Sequence, residues 1–126
     1  MRTWRAVFVI PILVLLLPLP CAAQYANWTP ADKALLATST ALLIVDWGQT
    51  RYIAKNPDRF HELNPILGRH PSVGRVNTYF ATAIIGNYLL ADWLGPTNRK
   101  LYLGGITALE TVVVIRNNGI GIKVAF

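Results

Sequence analysis

Residues 31–54 read ADKALLATSTALLIVDWGQTRYIA. No charge falls between Ala34 and Val45, so a helix here has no charged face along half its length. A helix on the surface of a water-soluble bundle sets such a face opposite its apolar stripe. Thr29 stands where an N-cap is wanted, and Pro30 suits a first helical turn. At about 1.5 Å of rise per residue the stretch is long enough to span hydrocarbon.

Two more apolar stretches follow. RVNTYFATAIIGNYLLADWL, residues 75–94, is also long enough to span, and Gly95-Pro96 ends it. LYLGGITALETVVVI, residues 101–115, is bounded by Arg99 and Lys100 in front and by Arg116-Asn117-Asn118-Gly119 behind. It is short, and would span with little tilt or with local thinning. The expectation is an all-α fold: a small helical membrane bundle with three transmembrane helices in a single domain over residues 24–126. A soluble three-helix bundle with buried polar residues is the alternative. The tail after Ile115 is expected to be helix, an Asn-Gly stop, and an interfacial segment Ile120–Phe126. A hairpin turning at Asn118-Gly119 competes with that.

Residues 1–23 read as a secretory signal segment. Arg2 and Arg5 form a positive start, Ala6 to Leu19 an apolar run, and Cys21-Ala22-Ala23 a small-residue cleavage site before Gln24. An uncleaved anchor is the main alternative; a lipidated Cys21 is disfavoured by Pro20. Composition agrees with a membrane setting: 53% of residues are hydrophobic and 14% charged, against about 25% charged in ordinary soluble domains. One cysteine excludes a disulfide scaffold. The net charge of +6 is scattered, without a Lys/Arg run, which argues against nucleic acid as a partner.

Charge placement gives an orientation. Arg51, Lys55, Arg59, Arg69, Arg75, Arg116 and Lys123 fall on one side of such a bundle, and Lys33, Arg99 and Lys100 on the other. The positive-inside rule then puts the start of the first helix outside and the C-terminus in the cytoplasm of a bacterial inner membrane. Trp28, Trp93 and Tyr102 fall at the outer interface, Tyr52 and Tyr79 toward the inner one.

Carboxylates inside hydrocarbon cost about 2.5–3.5 kcal/mol and want partners. Asp46 lies about 18 Å inward from Ala34, and Glu110 about 15 Å inward from Lys100. Asn87 lies about 18 Å outward from Arg75. Asp46, Asn87 and Glu110 are therefore expected to meet near mid-membrane, with Thr50 on the Asp46 stripe and Asp92 near the outer surface. Arg51, one turn beyond Asp46, is a competing partner. The bland reading is a structural clamp with one carboxyl protonated; the sharper one is a proton, ion or substrate site. Gly104, Thr107, Ala108 and Thr111 form a small-residue stripe of the kind that packs membrane helices, which favours self-association.

The loop KNPDRFHELNPILGRHPSVGR offers His61, Glu62, Asn64 and His70 as candidates, with Asp58 beside them. Counted from His61, the fifth position of the motif is Pro65, so H-E-x-x-H geometry is absent. Bracing of helix ends by Glu62 and Asn64 is the plainer expectation. No G-x-S-x-G elbow and no P-loop occurs, no cofactor is implied, and no nucleophile–base–orienter set can be assembled. The leading expectation is a non-enzymatic structural, accessory or interaction role in the membrane; the alternative is an intramembrane proton, metal or lipid-like ligand site built on Asp46, Glu62 and Glu110.

The combination of D-W-G-Q-T-R (Asp46–Arg51), H-E-L-N-P-I-L-G (His61–Gly68) and a last helix with Glu110 ahead of Asn117 or Asn118 resembles a group of uncharacterised small bacterial and phage-encoded polytopic membrane proteins. These share an Asp-x-x-x-Thr helix and an E-x-N-P loop. The resemblance covers roughly residues 31–119. It points to Asp46, Thr50, Glu62, Asn64, Pro65 and Glu110, and implies a membrane protein without transferring a catalytic role.

Overall fold

The computed structural model describes residues 27–126. The expected signal segment, residues 1–23, lies outside the described residues. Three helices follow in order: α1 (Pro30–Lys55), α2 (Val73–Trp93) and α3 (Gly95–Gly119). Thr29 starts α1. Its hydroxyl accepts the Asp32 N–H at 3.2 Å, and the Asp32 carboxylate accepts the Thr29 N–H at 2.9 Å. Two orphan donors are thereby satisfied by one another's side chains. At the far end the Asn56 amide donates to Tyr52 O at 2.8 Å, and Pro57 cannot continue the helix. Ser72 caps α2 by accepting the Arg75 N–H at 3.2 Å.

α2 and α3 are joined almost without a loop. Leu94 keeps right-handed helical angles, and the turn is made at Gly95, whose φ of +72° favours glycine. Pro96 then opens α3. Gly95-Pro96 thus both ends one helix and begins the next, and α3 runs well beyond the expected 101–115 in both directions. It continues through Asn118 to Gly119, so the tail forms no hairpin.

Residues 120–126 do not lie apart as an interfacial segment. They fold back on α1: Ala125 N–H donates to Gly48 O at 3.0 Å, and Arg51 Nε donates to Ala125 O at 3.2 Å. Phe126 sits edge-on to Trp47 at 6.0 Å between ring centroids. Gly48 makes this approach possible, because a Cβ there would collide with Val124 and Phe126. Gly48→Val is expected to expel the tail and cost about 1–3 kcal/mol. Carboxypeptidase release of the last residues and a change in tryptophan emission would report it; unchanged digestion would refute the packing.

α1 is the central helix, packing on both neighbours, while α2 and α3 touch least. The inward stripe of α1 carries Asp32, Ser39, Leu43, Thr50 and Ile53, all buried. Two apolar clusters form. Trp28, Ala91 and Leu103 close the end where α1 begins, and Leu43, Leu67, Val76 and Phe80 close the other. Among the described residues nine hydrophobic and eight polar or charged residues are buried, so the interior is close to evenly mixed. The outer surface is the apolar side: Leu101 is 72% exposed, Ile115 66%, Val112 65% and Ile85 61%.

Among the described residues the architecture is all-helical. Taken one at a time, no helix among the described residues is long and apolar enough to cross a membrane. The reason is that polar residues recur among the apolar ones, as at Asp46, Gln49 and Thr50 in α1, Asn77 and Asn87 in α2, and Thr107, Glu110 and Thr111 in α3.

Candidate functional site

The gap between α2 and α3 opens into a cavity of about 740 Å³ at the end where α1 stops. α1 contributes Asp46 and Thr50, α2 Tyr79, and α3 Glu110 and Asn117; the connecting loop contributes His61, Glu62 and Asn64. These include most of the candidate residues. Asn87 and His70 are not among its walls.

Asp46 and Glu110 are within hydrogen-bonding reach of one another. Two carboxyl oxygens at that range need a hydrogen between them, or a cation, to relieve like-charge contact. Donors around the pair are distant. Thr50 Oγ1 stands 3.5 Å and Asn117 Nδ2 3.4 Å from Asp46 Oδ1. Asn117 also donates to Gln49 Oε1 at 3.2 Å, and Gln49 donates to Val114 O at 3.2 Å, tying α1 to α3 just beyond the pair. Glu110 Oε2 is buried with no donor on it.

Asn87 does not join them. Its amide donates to Ser39 Oγ at 3.0 Å, leaving its own oxygen without a donor. The depth argument placed Asn87 at a reasonable height along α2 but did not fix the neighbour it faces. Ser39 lies seven residues before Asp46, about 10 Å along α1. Arg51 does not neutralise Asp46 either. It donates to Asn77 Oδ1 at 2.6 Å, which also accepts Trp47 Nε1 at 2.9 Å. Asp92, expected near the outer surface, lies in the last turn of α2; it is buried there and accepts Trp28 Nε1 at 2.8 Å.

Glu62 and Asn64 brace the loop itself, not the helix ends. Glu62 Oε1 accepts the N–H of Leu63 at 2.9 Å and of Asn64 at 2.8 Å. Asn64 Oδ1 accepts the Ile66 N–H at 3.0 Å, and its side chain meets the Tyr79 hydroxyl. These turns hold Glu62 at the cavity. His61 and His70 are both exposed. Among the described residues no group of three His, Cys, Asp or Glu is arranged for a metal ion.

The small-residue stripe of α3 faces no helix within the chain at Gly104, where an added Cβ would meet nothing. Thr107 and Thr111 turn their hydroxyls to their own helix, on Leu103 O at 2.7 Å and Thr107 O at 2.6 Å.

A second polar centre was not visible in the sequence as a cluster. Arg99 is fully buried, 3.5 Å from Asp32 and 4.4 Å above the Trp28 ring. It donates to Ala91 O at 2.8 Å and Asp92 O at 3.4 Å. The available signal was its place near the start of α3, three residues after Pro96. This centre is a structural clasp: every contact is to the protein's own backbone, an ion partner or a ring.

No protein family, curated protein or solved structure matches the chain.

Proposed function

We propose that the chain is a small integral membrane protein of the bacterial inner membrane, its three helices crossing together as a bundle, with a structural, accessory or interaction role. One observation carries this reading: nearly half of the buried residues are polar or charged, while large apolar side chains stand exposed. Ser39, Gln49, Thr50, Asn87 and Asn117 are buried, while Ile85, Leu89, Leu101, Leu109, Val112 and Ile115 are exposed. That inverts the arrangement water selects and matches what lipid selects, where polar side chains face the bundle interior. The low hydropathy of each helix alone does not count against it, because the lipid meets only the outward face.

Charges bracket a slab of fitting thickness. Lys33 to Arg51, Arg75 to Asp92 and Lys100 to Arg116 each span about 24–27 Å of helix axis. A hydrocarbon core of about 30 Å accommodates that with slight thinning. The end carrying Arg51, Arg59, Arg75 and Arg116 is taken as cytoplasmic. The lipid bilayer is then the principal partner. Self-association through the open Gly104 face belongs to the same reading, and cross-linking in native membranes that gave only monomer would argue against that part.

Fractionation tests the core of it. A C-terminally tagged protein is expected to stay with membranes through carbonate washing, with its tag protected from protease in spheroplasts. Recovery in a soluble fraction without detergent would overturn the reading.

A second reading is supported by a specific observation: Asp46, Glu62 and Glu110, from three separate elements, line one cavity. On that reading the bundle carries a ligand site at its cytoplasmic end.

A further inference from the structure

The cavity is larger than a shared proton needs. At about 740 Å³ it falls within the size of small-molecule sites, roughly 300–1,000 Å³. Much of its wall is apolar, from Leu43, Phe80, Leu109 and Val113. Its polar lining brings together three carboxyls, Asp46, Glu62 and Glu110, along with donors such as Thr50 and Asn117. Among the described residues no Lys or Arg forms an ion pair with Asp46, Glu62 or Glu110, the ion pairs to Asp32 lying at the opposite end. Arg59 and Arg116 line the cavity, but both are exposed, and Arg59 lies over the Phe60 ring at 5.6 Å. Glu110 Oε2 is buried and receives no donor, and Asp46 Oδ1 receives only the two long contacts from Thr50 and Asn117.

What the Asp46 and Glu110 carboxyls lack is an ion-paired cation, and an apolar surface lies beside them. We infer that it binds an amphiphilic cation: a primary ammonium on an alkyl or aryl body. The ammonium has three donors and no acceptor, which suits a site of carboxyl oxygens. It takes the place of the hydrogen between Asp46 and Glu110, with Glu62 adding negative charge from the loop. The apolar body lies against Leu43, Phe80 and Leu109. A carboxylate ligand would meet like charge at the same place. This inference rests on the ligand-site reading above and gives it a ligand class.

Hexylammonium, hexanol, hexanoate and methylammonium are the probes. They are titrated calorimetrically into the full chain in phosphatidylcholine nanodiscs, with empty nanodiscs as blank. Hexylammonium is expected to bind saturably, at least about tenfold tighter than the other three, because a charge-assisted bond and apolar burial act together. Asp46→Asn and Glu110→Gln are each expected to weaken it at least about tenfold, with helix content unchanged. Val113→Trp, which fills the cavity and leaves both carboxyls in place, is expected to abolish binding. This keeps the test decisive should a carboxyl variant fail to fold. Hexanol or hexanoate binding as well as hexylammonium would overturn the cationic class. Methylammonium binding as well would overturn the amphiphile. Binding by none of the four would overturn the ligand-site reading itself.

Discussion

Arg99→Met is expected to cost the folded state about 3–5 kcal/mol, the range for breaking a buried ion pair from one side. Methionine fills the aliphatic volume, so the loss is one of charge and hydrogen bonds. Asp32 is completely buried; beside the Thr29 N–H at 2.9 Å, its remaining cation would be Lys100 Nζ at 3.6 Å, on a side chain 45% exposed. The second loss falls on α2. Its last carbonyls have no following turn, because α3 starts at once, and Arg99 supplies donors to Ala91 O and Asp92 O. Lysine is not expected to rescue, since one ammonium cannot serve those carbonyls, the Asp32 carboxylate and the Trp28 ring together. Denaturant titration of purified wild type and both variants checks this; a loss below about 1 kcal/mol would place Arg99 among ordinary surface pairs.

The same clasp gives an acid limb to stability. Asp32 lies in the capping turn of α1, outside the proposed hydrocarbon slab. Desolvation pushes its carboxyl up, but the Thr29 backbone and hydroxyl bonds, then Lys100 and Arg99, outweigh that and hold it below the ordinary value of 3.8. A depressed folded-state value means that the stabilisation is complete above the ordinary value. It is lost as pH falls through the lowered one. Asp32→Asn is expected to remove that part of the acid dependence.

What the sequence revealed depended on how local each feature was. The Thr29–Pro30 start and the Asn118–Gly119 stop were legible because caps are read from neighbours within one turn. The heights of Asp46, Asn87 and Glu110 followed from helical rise, yet rise does not choose a facing neighbour, and Asn87 went to Ser39. Arg99 looked like a flanking charge. Its burial depends on Trp28 and on the carbonyl end of α2, and no pattern along α3 reports those. The return of residues 120–126 onto Gly48 was hidden for the same reason: an accommodating glycine in α1 does not name its visitor.

The largest effect of a single substitution on insertion is expected at Asp46. Offered alone to a translocon, Pro30–Lys55 should insert poorly, since one carboxylate in the hydrocarbon costs about 2.5–3.5 kcal/mol. Asp46→Leu removes that cost and adds a favourable side chain, a shift of about 3 kcal/mol or roughly a hundredfold. In the full chain the same substitution should change insertion little. There Asp46 faces Glu110 and Asn117 in the cavity inside the bundle and is turned away from lipid, so removing it saves little. Glycosylation mapping of the single helix and of the full chain, each with Asp46 and with Leu, yields the four values needed. If the full chain gained as much from Leu as the isolated helix, Asp46 would lack effective partners in lipid. If the full chain did not insert with either residue, the inverted bundle would need some covering other than a bilayer.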